Sequence, residues 1–192
     1  MEDNELKALV SLLEDDDVRS EIEEKIMGMG TSVIPFLETE WEESFDPKLQ
    51  ALIEDIIHKL QFELLQERLK LWKEEETDDL LKGMWIIATY QYPDLDLVNL
   101  KQELEQLYYE VWLEHNPEGH YFDQVKMMNS VFFNKLKYRS NTQNFHSPAN
   151  SNINIVMETK RGNPISLCVI YLLVAQKLGM PIYGVNLPNM FI

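Results

Sequence analysis

The amino-acid sequence predicts a mainly α-helical protein with little β structure. Apolar residues recur at intervals of three and four along most of the chain, beginning with Leu6, Leu9, Val10 and Leu13. Asn and Asp residues, which cap helices through their side-chain oxygens, precede many of these apolar stripes. Only the stretch 180–187 has the composition of a short buried strand. With 192 residues, the chain is long enough to bury a stable apolar core without disulfides or bound metals.

The first 76 residues predict a series of helices, and two segments of this region share a weak internal sequence repeat. Residues 12–18 are similar to residues 36–38 together with 46–47, because in each set an apolar pair ends one helix and an aspartate opens the next. This pattern resembles the HEAT type of helical repeat, in which neighbouring units bury each other's apolar faces. We therefore expect a HEAT-like helical region over residues 1–76.

Residues 77–192 predict a second domain, which follows the charged segment 73–77. A polar loop over residues 138–152 is long enough to suggest a functional role. The helix after it, 167–178, is apolar almost all round, so we expect it to be buried. Other helices of this domain are predicted over residues 80–87, 100–112, 121–136 and 153–160.

The formal net charge is −16, from 33 acidic residues against 17 Lys and Arg. This excess argues against nucleic-acid binding, because no broad basic surface is available to displace counterions from phosphates. No apolar stretch approaches the roughly 20 residues that span a bilayer. The acidic start differs from a basic signal peptide, and the one cysteine fits a reducing compartment. We expect an acidic cytoplasmic protein without membrane or nucleic-acid partners.

Charge is unevenly distributed along the chain. Residues 1–76 hold 22 acidic and 8 basic residues, whereas residues 126–177 hold seven basic residues and one acid, Glu158. One interpretation is that solvated helix faces differ in sign. The other is that the acidic half docks on the basic segment, in one chain or between two, with most of the energy coming from apolar burial.

The most informative stretch follows the polar loop. There Gly162 turns the chain, Asn163 can cap a helix and Pro164 fits the first helical turn. This part of the chain contains three motifs, which are Arg161-Gly162-Asn163-Pro164-Ile165-Ser166-Leu167, then Leu178-Gly179-Met180-Pro181, then Gly184-Val185-Asn186-Leu187-Pro188. This string resembles the SirB-type transglutaminase-like family of bacterial regulators, whose domain type also occurs in certain F-box proteins. The resemblance covers residues 78–192.

The resemblance implies a papain-like transglutaminase fold, whose active members use a Cys-His-Asp set. The cysteine position, at the start of the buried helix, falls on Pro164 or Ser166, while Cys168 lies a turn further in. Met190 stands where the family has histidine. The chain stops at Ile192 before an aspartate, so we expect a domain, 77–192, that is truncated at its C-terminus and contributes mainly its helical part.

Three side chains are weak candidates for residual catalysis. Cys168 could act as a thiolate, although its apolar neighbours favour a buried structural role. Ser166 could be a hydroxyl nucleophile, but the sequence offers it no base, and a hydrogen bond to the loop is the alternative. His146, in the polar loop, is the acid–base candidate, with a structural loop histidine as its alternative.

Other chemistry is not predicted. His115 and His120 flank a turn without a third ligand beside them, so we expect no metal site, and no cofactor motif is present. The four tryptophans are expected in the core rather than as ligand platforms. They are Trp41, Trp72, Trp85 and Trp112.

The preferred functional hypothesis is a non-catalytic regulatory or protein-interaction module, because no Cys-His relay forms from the residues at the family positions. Its contact surfaces would be the acidic helices and the loop 138–152, and its partner would be another protein or a second copy of the chain. The alternative is a thiol hydrolase or acyltransferase that uses Cys168 as nucleophile and His146 as base.

Overall fold

The computed structural model describes the backbone of residues 2–187 and 190–191 and the side chains of residues 4–185. The chain divides into two compact units, Met1–Lys70 and Leu71–Ile192. Each unit has its own cluster of buried apolar side chains. The prediction of a mainly helical fold with little β structure is confirmed. None of the described helices is both long and apolar enough to cross a membrane.

The first unit consists of helices around one apolar core. Leu13, Ile26, Leu37, Ile53 and Ile56 are completely buried there, and each belongs to an apolar stripe of the sequence. A 3₁₀ turn precedes the third helix, and α1 packs against both α2 and α3. Its helices are α1 (Glu2–Leu12), α2 (Arg19–Met27), α3 (Ile34–Glu43) and the part of α4 (Pro47–Glu75) up to Lys70.

The start of α4 follows the usual chemistry of a helix N-terminus. Pro47 occupies the first position, where a missing N–H costs little, and the Asp46 carboxylate accepts a hydrogen bond from the Lys48 N–H at 2.8 Å. The helix continues without a break to Glu75. The charged segment 73–77 therefore begins inside a helix.

The second unit packs its helices around α9 (Pro164–Lys177). This helix contacts α5, α6 and α8 and completely buries Ile170, Val174 and Ala175. Its burial on several sides explains why it is apolar almost all round. The other helices are α5 (Leu80–Thr89), α6 (Leu97–Trp112), α7 (Tyr121–Asn129) and α8 (Ile153–Thr159).

Two short strand pairs complete the described part of the second unit. The first pair is parallel and joins β1 (Arg139–Ser140) to β2 (Arg161–Gly162), with Arg139 opposite Arg161 and Ser140 opposite Gly162. The second pair, β3 (Asn186–Leu187) and β4 (Met190–Phe191), is antiparallel. The strand β1 lies within the predicted polar loop, and the rest of the loop includes a 3₁₀ turn at Pro148–Ser151.

Two predicted elements are shorter than the sequence suggests. The helix expected over 121–136 ends at Asn129 and continues as a π-helical turn, Ser130–Lys135. This turn places Phe132 completely inside the core. The strand expected over 180–187 is confined to its last two residues, and Tyr183 and Val185 before it are exposed rather than buried.

The expectation that all four tryptophans lie in the core is wrong for two of them. Trp41 and Trp112 are 40% and 52% exposed, because they lie on the outer sides of amphipathic helices. Trp72 and Trp85 are half-buried, and each donates its indole N–H to a backbone carbonyl, at 2.9 and 2.7 Å respectively. A buried ring with a satisfied polar group is what tryptophan packing usually requires.

Candidate functional site

The motif residues meet at the start of α9. The Asn163 side-chain oxygen accepts a hydrogen bond from the Ser166 N–H at 2.8 Å, and Pro164 occupies the first helical turn. The Asn163 amide also donates to the Ser151 hydroxyl at 2.8 Å. The predicted cap is therefore confirmed, and the capping residue also links the helix to the polar loop.

Ser166 is 1% exposed. Its hydroxyl donates to the backbone carbonyl of Asn150 at 2.7 Å and also lies 3.1 Å from the backbone carbonyl of Asn163. Because a carbonyl oxygen can only accept, the hydroxyl proton stays engaged by the backbone. No histidine or carboxylate within residues 4–185 forms a hydrogen bond with this hydroxyl. The arrangement lacks the adjacent base that activates a serine nucleophile.

Asn150 holds the polar loop against α9. Its side chain, 3% exposed, donates to the carbonyls of Asn144 and Phe145 at 2.8 and 3.0 Å and accepts from the Asn141 amide at 2.9 Å. Its own carbonyl accepts from the Asn163 N–H at 3.1 Å. A buried amide with its polar groups satisfied fixes the loop in one conformation.

Gly162 lies where β2 passes between α8 and α9. A Cβ added at this position would lie 2.5 Å from Ser166 Oγ and 2.8 Å from Val156 Cγ1. Both distances are shorter than any ordinary van der Waals contact. The glycine of the motif is therefore required by the close approach of three segments. Gly179 has a different role, since its φ of 71° ends α9 in the left-handed region.

Cys168 and His146 occupy different environments. Cys168 is half-buried on α9, and burial raises the pKa of its thiol above the ordinary value. His146 is exposed in the polar loop, where its ring makes an edge contact with the Phe145 ring at 5.3 Å. The described side chains show no hydrogen bond between these two candidates, and the thiol lacks the charged neighbour that would lower its pKa.

The remaining motif positions lie after α9. Pro181 is exposed in the segment that leads to β3. Pro188 lies outside the described residues. Met190, at the family's histidine position, is described by its backbone alone, which pairs with Leu187 in the β3–β4 ladder.

The two histidines of the turn before α7 have separate roles. His120 caps α7, because its Nδ1 accepts a hydrogen bond from the Phe122 N–H at 3.2 Å. His115 is half-buried, and its Nδ1 has no hydrogen-bond partner. Within the described residues, no three His, Cys, Asp or Glu side chains converge as metal ligands would.

The basic segment 126–177 divides into paired and unpaired side chains. Lys135 binds Glu110 of α6 at 3.4 Å and Glu114, which follows that helix, at 2.9 Å, and Lys177 pairs with Glu105. Lys126 lies over the Phe122 ring of the same helix, α7, with its Nζ 4.3 Å from the ring centroid. The other four have no acidic partner among the described side chains: Lys137, Arg139, Lys160 and Arg161. The docking of the acidic half on this segment stays a prediction.

A groove of about 690 Å³ runs between α6, α8 and the segment before β1. Its lining includes the apolar side chains of Leu107, Leu136 and Met157. The charged lining residues are Glu103, Glu110, Glu158 and Lys160. Burial, together with the nearby negative charge of Glu103, raises the pKa of Tyr138 on the groove wall to about 12. The groove therefore combines apolar surface with three carboxylates and one lysine.

Two features of this region were not foreseen from the sequence. The loop has several asparagines, and composition alone does not show that Asn150 is the buried one that holds it. The pairing of Arg139 with Arg161 joins residues that lie on either side of the loop and α8. In this region the sequence shows a polar loop and an excess of basic residues. Neither feature indicates which residues pair between β1 and β2.

Comparison with known proteins gives one family match and several relatives that cover part of the chain. Residues 99–192 match the family described as the transglutaminase-like superfamily. A UPF0162 protein of Xylella fastidiosa is 40% identical over 131 residues, which are 65% of this chain and 46% of that protein. A UPF0162 protein of Pasteurella multocida is 30% identical over 69 residues, 36% of this chain and 26% of that protein.

F-box only protein 21 of Homo sapiens is 34% identical over 65 residues, 34% of this chain and 10% of the human protein. No solved structure matches the chain. The alignment spans about half the length of the Xylella relative. On the strength of these matches, residues 99–192 of this chain form a transglutaminase-like superfamily domain.

Proposed function

We propose that this chain is a non-catalytic, SirB-type transglutaminase-like module that acts by binding a protein segment. The observation that carries the proposal is the state of Ser166, one of the two positions to which the family resemblance assigns the nucleophile. Its hydroxyl is buried and engaged by the Asn150 carbonyl at 2.7 Å. The other such position, Pro164, has no nucleophilic atom.

The rest of the expected relay supports the same proposal. Methionine at position 190 replaces the residue that would serve as a base. Cys168 keeps its proton more tightly than an ordinary cysteine, because burial disfavours the thiolate. A nucleophile without an adjacent base or a lowered pKa is weak.

The binding surface that we propose is the outer side of α6. Tyr109, Trp112 and Leu113 are 57%, 52% and 70% exposed and lie three and four residues apart, so they form one apolar stripe. Tyr109 also lines the groove that carries Glu103 and Glu158. Aromatic side chains next to a groove are the usual anchors of an interface. The complementary segment has apolar side chains flanked by Lys or Arg.

We also propose that the first unit is a HEAT-like pair of helical repeats. Leu13 and Leu37 occupy equivalent positions in the two copies of the weak internal repeat, and both are completely buried in the core of this unit. The net charge of −14 over residues 1–76, from 22 acidic and 8 basic residues, makes this helical region a second surface for a basic partner. A cytoplasmic location is part of the proposal, because the one cysteine has no internal disulfide partner.

Peptide display on the purified chain tests the binding function. We expect enrichment of segments with Lys or Arg beside apolar residues, and about tenfold weaker binding of such a peptide to Trp112→Ala. The matched control is Tyr183→Ala, which removes another exposed aromatic side chain of the second unit and should leave the affinity unchanged. If the two variants bind equally well, or no peptide is enriched, the proposed surface is wrong.

Two further measurements test whether the partner is a second copy of the chain and whether the chain has catalytic activity. Sedimentation at increasing protein concentration shows whether the segment that binds comes from a second copy, in which case Trp112→Ala reduces the association. Turnover of an ester or thioester substrate that disappears in Cys168→Ala or Ser166→Ala would overturn the non-catalytic proposal.

A further inference from the structure

Arg139 and Arg161 form a pair on the β1–β2 ladder. The two residues are direct partners in a parallel register. Side chains of neighbouring strands at the same register leave the sheet on the same face, with backbones roughly 4.8 Å apart. The Arg139 and Arg161 side chains therefore leave the strand pair from adjacent backbone positions on one face.

Neither guanidinium is neutralised by a carboxylate among the described side chains. The ion pairs seen among the described side chains of the second unit use Lys82, Lys135 and Lys177, and the paired acids lie elsewhere on the unit. Because the guanidinium is charged at all ordinary pH values, two adjacent unpaired ones repel each other. A bound anion would relieve this repulsion.

The two arginines line a cleft of about 430 Å³ at the end of the strand pair. The other lining residues are Ser140, Asn141, Thr142 and Gln143, so no carboxylate of residues 4–185 contributes to the wall. The Asn141 amide is engaged with Asn150, whereas the side chains of Ser140, Thr142 and Gln143 form no hydrogen bonds with other described residues. The cleft combines two positive charges with unused neutral donors.

We propose that this cleft binds a phosphate monoester. Two guanidinium forks match the charge and the oxygen geometry of a phosphate dianion, while one fork is enough for a single carboxylate. The hydroxyl and amide groups of the wall can donate to the remaining oxygens. The volume falls in the range of small-ligand sites and exceeds the size of a phosphate ion, so the cleft also accommodates the group to which the phosphate is attached.

The test is an NMR titration of the full chain with O-phospho-L-serine at constant ionic strength, with inorganic phosphate, L-serine and L-glutamate in parallel. We expect saturable shifts of the amide signals of residues 139–143 and 161 with phosphoserine, and weaker ones with inorganic phosphate. Equal affinities for the two would assign the site to free phosphate and would still support recognition of the phosphate group. L-glutamate binding as tightly as phosphoserine would overturn the proposal.

The variant Arg139→Gln/Arg161→Gln should bind phosphoserine at least about tenfold more weakly. Its control is Lys70→Gln/Lys101→Gln, which removes the same charge from exposed positions outside the cleft. Melting temperatures establish that both variants fold. An equal loss in the control, or shifts that follow ionic strength alone, would show that only the net charge attracts the anion.

Discussion

The Ser166 hydroxyl and the Asn150 carbonyl lie 2.7 Å apart although 16 residues separate them in the sequence. This hydrogen bond connects the end of the polar loop to the first turn of α9. It occupies the place at which the resemblance to active transglutaminases would put a nucleophile. Under the non-catalytic proposal, the contact that stabilises this part of the fold also keeps the hydroxyl from acting on a substrate.

Replacement of Asn150 by alanine should lower the free energy of unfolding by about 2 kcal/mol or more. The substitution leaves two loop carbonyls and the Asn141 amide without their partner, and unsatisfied buried groups are expensive. Urea denaturation measures the change. Asn144→Ala is the control, because that exposed side chain forms no hydrogen bond with the described residues, and its effect should stay within about 0.5 kcal/mol. Similar losses in both variants would contradict the role assigned to Asn150.

Replacement of Asn163 by alanine should cost about 1 kcal/mol, because the Ser166 N–H loses its side-chain acceptor. Asn163→Asp keeps an acceptor oxygen at the helix N-terminus and should be close to the wild type in stability. Thermal unfolding followed by circular dichroism compares the two variants. An unchanged melting temperature for the alanine variant would show that the cap contributes nothing.

Replacement of Gly162 by alanine should destabilise the chain by about 1–3 kcal/mol through overpacking. The new Cβ would lie 2.5 Å from Ser166 Oγ, so the double variant with Ser166→Ala should recover part of this loss. The free energies of the two single variants should therefore not add in the double variant. Strict additivity in a double-mutant cycle would place the clash elsewhere.

Alkylation of Cys168 by iodoacetamide should be slow in the native protein at neutral pH. A raised pKa leaves less thiolate at any given pH, so the rate should keep rising at pH values at which an ordinary cysteine is already ionised. Mass spectrometry of native and urea-unfolded samples from pH 7 to 10 measures this difference. His146→Ala should not change the rate. Rapid labelling at pH 7 that depends on His146 would support the thiol-enzyme alternative.

The sequence predicted much of the helical fold because amphipathic stripes and caps are local signals. Asp79 and Asp96 both cap helices through their side chains, and Ile22 and Ile26 are buried as their spacing predicts. The exposure of Trp112 was not predictable in this way, since hydrophobicity does not show which side of a helix lacks a neighbour. The π-helical turn after α7 also depends on tertiary packing of Phe132 rather than on residue spacing.

The candidate site was predicted in part for the same reason. The cap at Asn163 and the turn at Gly162 are encoded within a few residues of the helix that they start. The environment of Ser166 depends on Asn150, and the pairing of Arg139 with Arg161 depends on the parallel ladder. Such contacts join segments that are distant in the chain, so no local pattern specifies them.

The hydrogen bonds of Asn150 have a consequence for motion on the millisecond timescale and slower. Because one side chain joins the loop to itself and its backbone joins the loop to α9, the two segments should open as a single cooperative unit, visible as shared amide hydrogen exchange. A loop held in this way is a fixed wall beside the helix. We therefore expect that the loop does not swing aside alone as a lid would.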